Sequence, residues 1–583
     1  MRFIKKYICE LIFAINLLCI APTHDFNIWW NRPVINDAFG YYGYLPAVFI
    51  YQDLQHDFIH PVWEKYYTEI SWNNPKDLYM VKFKGKEVNK YPPGVAYYLT
   101  PFFLTAHVVA LISGLEADGY SSIYMVFICI GAVFWQYLFL KLLKNIFKFY
   151  NLSGLSFLFT AIFLAFGSNL LFYTLQFSAY SHLYSLFSIT LFFFGGIHFF
   201  NKNSVKPSAK YFALMILGFV MALITRNVNG ICILLLPCMG FEIRELPGYL
   251  KVLKNKTALI GLTLSLCILF SMFFFWHFNT GYWLIDSYPN ESFNWSKPQI
   301  IKSLFSPHKG WFFYTPVAAL GIIGLFFANK IIRNNFILLL CLVIYITSSW
   351  GSWDYGSGFS LRAYIDWYLI IGIGMGFLIT KAQLKNVVFG VVIAVGIIFS
   401  AMNVLFSVQF MRGIISGHSQ GIEYTIKNFF RLRPIMEYKL SKKTIIQNKI
   451  ISNKFNELPE GCSIINEEAP YSGFVENGFP SFFKPELNYK IRYGGEINLE
   501  SKTYPVYLCA SLMSEKDNVL LWQQIKVNDF ILKNNPENVE SGFDMPLNTP
   551  LNARLRVFFW RPEGKTKAKI DNLYIEFLQT GFE

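Results

Sequence analysis

Charge is scarce in this sequence: only 15% of its 583 residues are Asp, Glu, Lys or Arg, against 54% hydrophobic residues. A soluble chain of this length needs far more charge on its surface, so that class is excluded first. Cysteine is present but unpatterned. The nine cysteines form no CxxC pair and no His/Cys cluster, which excludes the spacing of a zinc site. Seven lie in apolar segments, where they are expected to pack as small hydrophobes. Cys462 and Cys509 lie in the polar C-terminal part, where a disulfide is open if that part is extracytoplasmic. No internal repeat and no low-complexity segment is visible. The net charge of +14 comes without a basic stripe interleaved with aromatics, so nucleic acid is not an expected partner.

What is there is apolar length. Runs of roughly 18–25 residues recur from the N-terminus to about residue 410, each enough to cross a hydrocarbon core. The start, MRFIKKYICELIFAINLLCIAP, has basic residues and an apolar stretch but no small-residue cleavage site, and reads as the first spanning helix. Aromatic residues make up 19% of the chain, and many flank the apolar runs, as interfacial belts do. The expected class is a polytopic α-helical membrane protein in contact with membrane lipids.

Loop charge orients it. Lys141/Lys144/Lys148, Lys202/Lys206/Lys210, Arg244/Lys251/Lys254/Lys256, Lys330/Arg333 and Lys381/Lys385 mark cytoplasmic loops, together with Arg2, Lys5 and Lys6. The loops near 176–181, 226–230 and 350–361 are charge-poor or neutral and belong outside. This alternation holds only if VAYYLTPFFLTAHVVALISGL does not cross but lies along, or dips into, the outer leaflet. About eleven helices then span, and the C-terminal tail is outside. Just before that segment, NKYPPG stops any upstream helix at Pro92 and Pro93, which suit the first turn of a new one, and leaves Lys90 at the interface.

Three parts result. Residues 1–410 form the transmembrane domain, with a first outer loop at 23–94 that carries juxtamembrane helices and a second at about 279–310. Residues 411–454 form a basic linker suited to an anionic membrane surface. Residues 455–583 alternate with period two in LNYKIRYGG, YPVYLCASLMS, NVLLWQQIKV, ARLRVFFWRP and KIDNLYIEFLQ, the pattern of a β-sandwich. The ending AKIDNLYIEFLQ resembles the last strands of jelly-roll carbohydrate-binding modules.

Several stretches of the first part carry a further resemblance: VINDAFGYYGYLPAVF, NKYPPGVAYYLTPFF, FGSNLLFYTLQFSAYSHLYSLF, LITRNVNGICILLLP, SLFSPHKGWFFYTPV and SSWGSWDYGSGFSLRAYID. Their order, spacing and sidedness over residues 1–410 resemble the multi-pass GT-C glycosyltransferases that take sugars from polyprenyl-phosphate donors, such as protein O-mannosyltransferases and lipid A aminoarabinose transferases. The sequence departs from that family where Asn36 precedes a single Asp37 in place of an acidic pair. The resemblance implies inverting transfer of one sugar to an extracytoplasmic glycan, lipid or protein at a bacterial inner membrane.

Such chemistry needs a base beside the acceptor oxygen, cations for the lipid phosphate and a polar cavity for the sugar. On position alone Asp37 is a helix N-cap; the resemblance makes it the catalytic base. Asp53 reads as a helix-end residue. Lys90, Arg226 and Arg362 are candidates for the donor phosphate, arginine through its planar fork and lysine as a compact charge. The bland reading of both arginines is snorkelling to headgroups. His182, His308, Lys309 and Asp354 are further substrate-binding candidates, and Pro92, Pro93 and Gly94 structural ones. No metal-ligand set is evident and no cofactor is required. The competing expectations are an oligosaccharide ligase or polymerase using a diphosphate-linked donor, which would lean on paired arginines, and a non-enzymatic transporter of lipid-linked glycans.

Overall fold

The computed structural model of the chain describes residues 2–24, 26, 32–67, 75–201, 208–289, 291–356, 358–412, 414–415 and 422–432, and beyond them 446–455, 464–465, 475–478, 489–499, 506–513, 515, 519–527, 537–544, 553–561 and 568–580. Two compact units divide it, Met1–Phe430 and Arg431–Glu583. The boundary falls inside the expected linker because α18 (Ile422–Asn428), the last helix of the first unit, is held to that unit. Gln409 donates to the carbonyls of Asn428 and Phe429 at 2.8 and 2.9 Å, and Phe429 meets Phe406 edge to face.

The first unit is helical. It opens with α1 (Arg2–Thr23), and a structured loop then holds α2 (Asp37–Pro46), α3 (Ile59–Tyr66) and the antiparallel hairpin β1 (Met80–Phe83) and β2 (Lys86–Asn89). There follow α4 (Gly94–Ile112), α5 (Ser122–Phe149), α6 (Gly154–Phe166), α7 (Leu170–Leu175), α8 (Ser181–Phe199) and α9 (Ala209–Thr225). A 3-10 segment, Asn227–Met239, precedes α10 (Leu246–Leu250) and α11 (Lys256–Thr280). The rest are α12 (Ile300–Phe305), α13 (Trp311–Tyr314), α14 (Val317–Leu325), α15 (Lys330–Ser349), the 3-10 turn Arg362–Trp367, α16 (Tyr368–Ala382) and α17 (Asn386–Met411).

Local signals set several starts. Ser153, Asn255 and Asn329 each cap a helix by accepting the amide of Ser156, Thr257 or Ile332, satisfying a donor that the first turn leaves open. Among the described residues seven helices are long and apolar enough to cross a membrane: α4, α5, α8, α11, α15, α17 and the run Arg362–Ala382. That is fewer than eleven, because other apolar stretches form shorter or broken elements. The backbone of α1 kinks at Tyr7, α6 has 13 residues, α9 has 17, and 227–239 winds as a 3-10 helix. α8 and α16 are buried along most of their length, while α11 and α17 expose residues such as Leu264, Phe270, Val391 and Ile398. Such uncovered apolar faces are compatible with a multi-pass membrane protein.

By length α4 qualifies as a span, against the expectation of a non-crossing segment. Both its flanks nevertheless return to the first loop: Tyr44 donates to the carbonyl of Tyr91 just before it at 2.7 Å, and Tyr42, on the same short helix, donates to the carbonyl of Gly119 just after it. Of the seven cysteines in apolar segments, Cys9, Cys129, Cys232 and Cys238 are buried as expected, whereas Cys267 and Cys341 lie on exposed helix faces.

The second unit is β-structure: β3 (Ile446–Phe455), β4 (Ile464–Ile465), β5 (Val475–Gly478), β6 (Tyr489–Leu499), β7 (Tyr507–Met513), β8 (Val519–Lys526), β9 (Glu537–Asp544), β10 (Arg554–Trp560) and β11 (Ala568–Thr580). One antiparallel sheet runs β5-β10-β7-β8 and the other β3-β11-β6-β9, with β4 on β11. Leu508, Leu555, Val557 and Phe559 of the first and Ile491, Ile497, Ile570 and Ile575 of the second join one core. Strands alternating between two sheets in this order make a jelly roll; β10 buries every second residue over most of its length, as the sequence pattern requires, whereas β7 is buried at every position. Cys509 is buried on β7, while Cys462 lies outside the described residues.

The closest helix approach sets a test. A Cβ on Gly324 would sit 1.9 Å from the carbonyl oxygen of Gly374, and one on Gly374 would sit 2.1 Å from that of Gly321, so α14 and α16 meet backbone to backbone. Gly374→Ala is expected to cost about 1–3 kcal/mol, read as a lower Tm of the full chain in detergent. Gly390→Ala, whose new Cβ would meet no described atom outside its own helix within 4 Å, is expected to leave Tm unchanged or raise it.

Candidate functional site

Four stretches far apart in sequence meet at a cavity of about 430 Å³ in the first unit. Asp37 and Tyr41 come from α2, Lys90 to Pro92 from the segment before α4, and Thr225 to Asn229 from the end of α9. Arg362 and Asp366 come from the turn before α16. His182 on α8 and the loop residues Tyr288, Glu291, Trp350 and Tyr355 complete the charged and aromatic wall.

The NKYPPG stretch is seated by its own side chains. Asn89 donates to the carbonyl of Gly40 at 2.7 Å and accepts the amide of Tyr91 at 3.0 Å, which ties the segment to α2. Helix α4 starts at Gly94, directly after the two prolines, as expected. Gly94 is required by contact: a Cβ there would lie 2.5 Å from the carbonyl oxygen of Ile224. Its bare backbone lets α4 abut the end of α9, where Arg226 leaves the helix in extended conformation. Lys90 and Arg226 thereby reach the same cavity.

Asp37 is not the helix cap. Asn36 holds that position with φ of 49°, makes no side-chain capping bond, and leaves Asp37 as the first helical residue. Its Oδ2 accepts from Nη2 of Arg362 at 2.5 Å, and the Arg362 guanidinium lies 4.9 Å from the Tyr180 ring centre. Arg226 donates from Nη1 to Oδ2 of Asp366 at 2.9 Å, and Nδ1 of His182 lies 2.8 Å from Oδ1 of the same carboxylate. A carboxylate can only accept, so Nδ1 of His182 carries the proton. The 3.1 Å approach of Arg226 to Nδ1 is then a contact rather than a bond, and Nε2 keeps a lone pair. Neither arginine snorkels to a surface; each is held by an internal carboxylate.

Lys90 differs. Its partner Glu291 stands 3.5 Å away, and the side chains are 16% and 39% exposed, against 1% for Asp366. The rings of Tyr91 and Tyr288 lie 5.3 and 5.4 Å from its ammonium. Among the described lining residues three cations thus face three carboxylates, and the Lys90 pair is the loosest of the three. Burial pushes the Tyr41 phenol up to about 12, with Asp37 adding, and raises those of Tyr91 and Tyr288 further. These phenols stay neutral hydrogen-bond donors at ordinary pH.

Three expected site residues do not line the cavity. Lys309 is buried and donates to the carbonyls of Gly356, at 2.6 Å, and Gly358. His308 pairs through Nε2 with Asp354 at 3.2 Å, a bond that holds this carboxyl below the usual range. These bonds hold the loop that carries the lining residues Tyr355 and Gly356 and leads to Arg362. Asp53 accepts the amides of Gln55 and Phe58, the helix-end role expected of it. Asp366, Glu291 and Asn229 escaped the sequence reading. Asp366 had a signal, an acidic residue four positions after Arg362 in an otherwise apolar run; Glu291 and Asn229 had none. As possible metal donors the site offers His182 with Asp366, and among the described residues no group of three His, Cys, Asp or Glu side chains gathers.

Removing one partner of a buried ion pair strands the other charge, so Asp366→Asn is expected to lower stability by about 3–5 kcal/mol. The double change Arg226→Met with Asp366→Leu should recover most of the lost Tm. Lys309 gives a pH test. Burial, with Arg362 adding and Asp354 opposing, pushes its ammonium down to about 7 from an ordinary 10.5. Between those values the unfolded chain binds the extra proton, so stability rises as pH goes up through that window. Tm measured from pH 7 to 9 should show this rise, and Lys309→Met should flatten it.

No family model matches the chain, and no curated protein matches it either.

Proposed function

We propose that this protein is a membrane glycosyltransferase of the GT-C type that moves one sugar, with inversion, from a polyprenyl-phosphate donor to a hydroxyl of an extracytoplasmic acceptor, a glycan, lipid or protein. The observation that carries this reading is the convergence of Asp37, Lys90, Arg226 and Arg362 on one tyrosine-lined cavity from four distant stretches. In the reaction the acceptor oxygen bonds to the anomeric carbon as that carbon's bond to the phosphate oxygen breaks. Asp37 takes the hydroxyl proton, and the polyprenyl phosphate leaves with the bonding electrons. Arg362 orients Asp37 through Oδ2 alone, and Oδ1 is the oxygen assigned to the proton.

Lys90 is the cation assigned to the phosphate. Arg226 and Arg362 are each committed to a carboxylate below 3 Å, while the longer and more exposed Lys90–Glu291 pair exchanges partners at least cost. This also favours a monophosphate over a diphosphate donor, since no two arginines are left unpaired to face a second phosphate. Proteinaceous phenols and the indoles of Trp350 and Trp367 offer stacking faces and donors for a sugar. The jelly roll is assigned to the same side as the acceptor.

Purified full chain in detergent, given radiolabelled polyprenyl-monophosphate sugars, is the test. Asp37→Asn is expected to reduce turnover by about 10²–10⁴-fold. Lys90→Ala should raise the donor KM, and Glu291→Gln should lower it by freeing Lys90. Transfer from a diphosphate-linked donor alone, or unchanged turnover in a folded Asp37→Asn variant, would overturn the reading.

A further inference from the structure

His182 stands in the cavity wall with one of its two ring nitrogens unused. It lies in the first turn of α8, and its side chain is 4% exposed against 1% for Asp366. Nδ1 gives its proton to Oδ1 of Asp366 at 2.8 Å, and the other oxygen of that carboxylate accepts from Arg226 at 2.9 Å. One guanidinium thus balances one carboxylate, so the neutral imidazole is the form that leaves no unmatched charge in this buried trio. With Nδ1 protonated and the ring neutral, Nε2 holds a lone pair and can only accept. It makes no hydrogen bond among the described residues. Nε of Arg362 is also unbonded but is closed to solvent, whereas Nε2 of His182 keeps access to the cavity that the residue lines.

A tautomer fixed in this way sorts the parts of a ligand. The phosphate that joins a sugar to a polyprenyl chain is a diester without an O–H, so it has nothing to donate to Nε2, and facing lone pairs repel. A hydroxyl carries the proton that Nε2 needs. The Lys90 ammonium and the phenols of Tyr41 and Tyr288, by contrast, can donate to phosphate and hydroxyl oxygens alike. We propose that His182 is a specificity-determining contact whose Nε2 accepts a hydrogen bond from a ligand hydroxyl, on the donor sugar or on the acceptor. Asp366 is the positioning residue that sets the tautomer. The hydroxyl keeps its proton at His182, and the reacting proton goes to Asp37. The contact rests on the transferase reading for the identity of the ligand, but it is a binding event that can be measured without turnover.

The experiment uses the full chain in detergent with isotope-labelled histidine ring nitrogens, followed by nitrogen NMR. The Nε2 signal of His182 is identified by its loss in His182→Asn, whose amide N–H can still donate to Asp366 but which ends short of the Nε2 position. In the wild type this signal is expected where a non-protonated ring nitrogen resonates. The probes are methyl glycosides of common hexoses, each of their monodeoxy analogues, dimethyl phosphate and a short-chain prenyl-phosphoryl hexose. A glycoside should shift the Nε2 signal, and dimethyl phosphate should leave it in place. Loss of one particular hydroxyl should abolish the shift and weaken wild-type binding about tenfold, the size of one hydrogen bond. In His182→Asn that discrimination should fall to near unity. His182→Gln, whose longer amide carries an oxygen towards the Nε2 position, assigns the same signal should the shorter variant not fold, and should keep part of the discrimination. A shift with the prenyl-phosphoryl hexose alone assigns the hydroxyl to the donor sugar; a shift that appears only when free glycoside is added to it assigns the hydroxyl to the acceptor. A protonated Nε2, a signal that no probe moves, or intact discrimination in His182→Asn would overturn the proposal. Transfer from polyprenyl-monophosphate sugars is assayed in parallel. No transfer, with the hydroxyl-dependent shift retained, would sink the transferase reading alone; transfer with an unmoved Nε2 signal would sink the His182 contact alone.

Discussion

The bond between Asp37 and Arg362 joins the first loop to the turn before α16 across 325 positions of sequence, and the arrangement of the cavity depends on it. A buried guanidinium without a counter-charge is too costly to keep, so the two segments must stay together once α8, α9 and α16 have packed. The same constraint operates a second time at Arg226 and Asp366, with His182 as a third member. Two internal pairs therefore hold four ionised groups around one space while leaving the space itself near neutral.

Neutrality has a chemical consequence. A cavity with fixed excess positive charge would hold any anion, whereas one whose cations are already matched must exchange a carboxylate for a phosphate. The Lys90–Glu291 pair is the place where such an exchange is cheapest, by distance and by exposure. In the proposed reaction this separates two duties: the arginines keep the geometry, and the lysine meets the ligand. Behind them, His308, Lys309 and Asp354 hold the loop at 350–361 through backbone carbonyls and a side-chain pair. These three were expected to contact the ligand; none lines the cavity, and of them only Lys309 is buried.

The glycines and prolines of NKYPPG illustrate how much of this was legible beforehand. That a helix would begin after Pro93 follows from the missing amide and the locked φ of proline, and it does begin there. That Gly94 is needed for the contact with Ile224 depends on a neighbour 130 positions away and has no local signature. The alternation in the last part of the chain foretold two-sided strands, and their inward residues form the sandwich core. The crossing helices were harder. Apolar length predicts where a helix can span, yet a kink at Tyr7 and a 3-10 winding at 227–239 break apolar runs that composition alone treats as whole.

By itself the sequence determined which segments are apolar, that no helix runs through Pro92 and Pro93, and that Asp37, Lys90, Arg226 and Arg362 are charges set among apolar runs. These properties follow from hydration and from backbone chemistry within a few residues. Only the tertiary structure decided which charge pairs with which, and that Asp366 and Glu291 are the matching carboxylates. Pairing is set by distances between segments that the chain brings together only when its helices pack, and no local pattern encodes those distances.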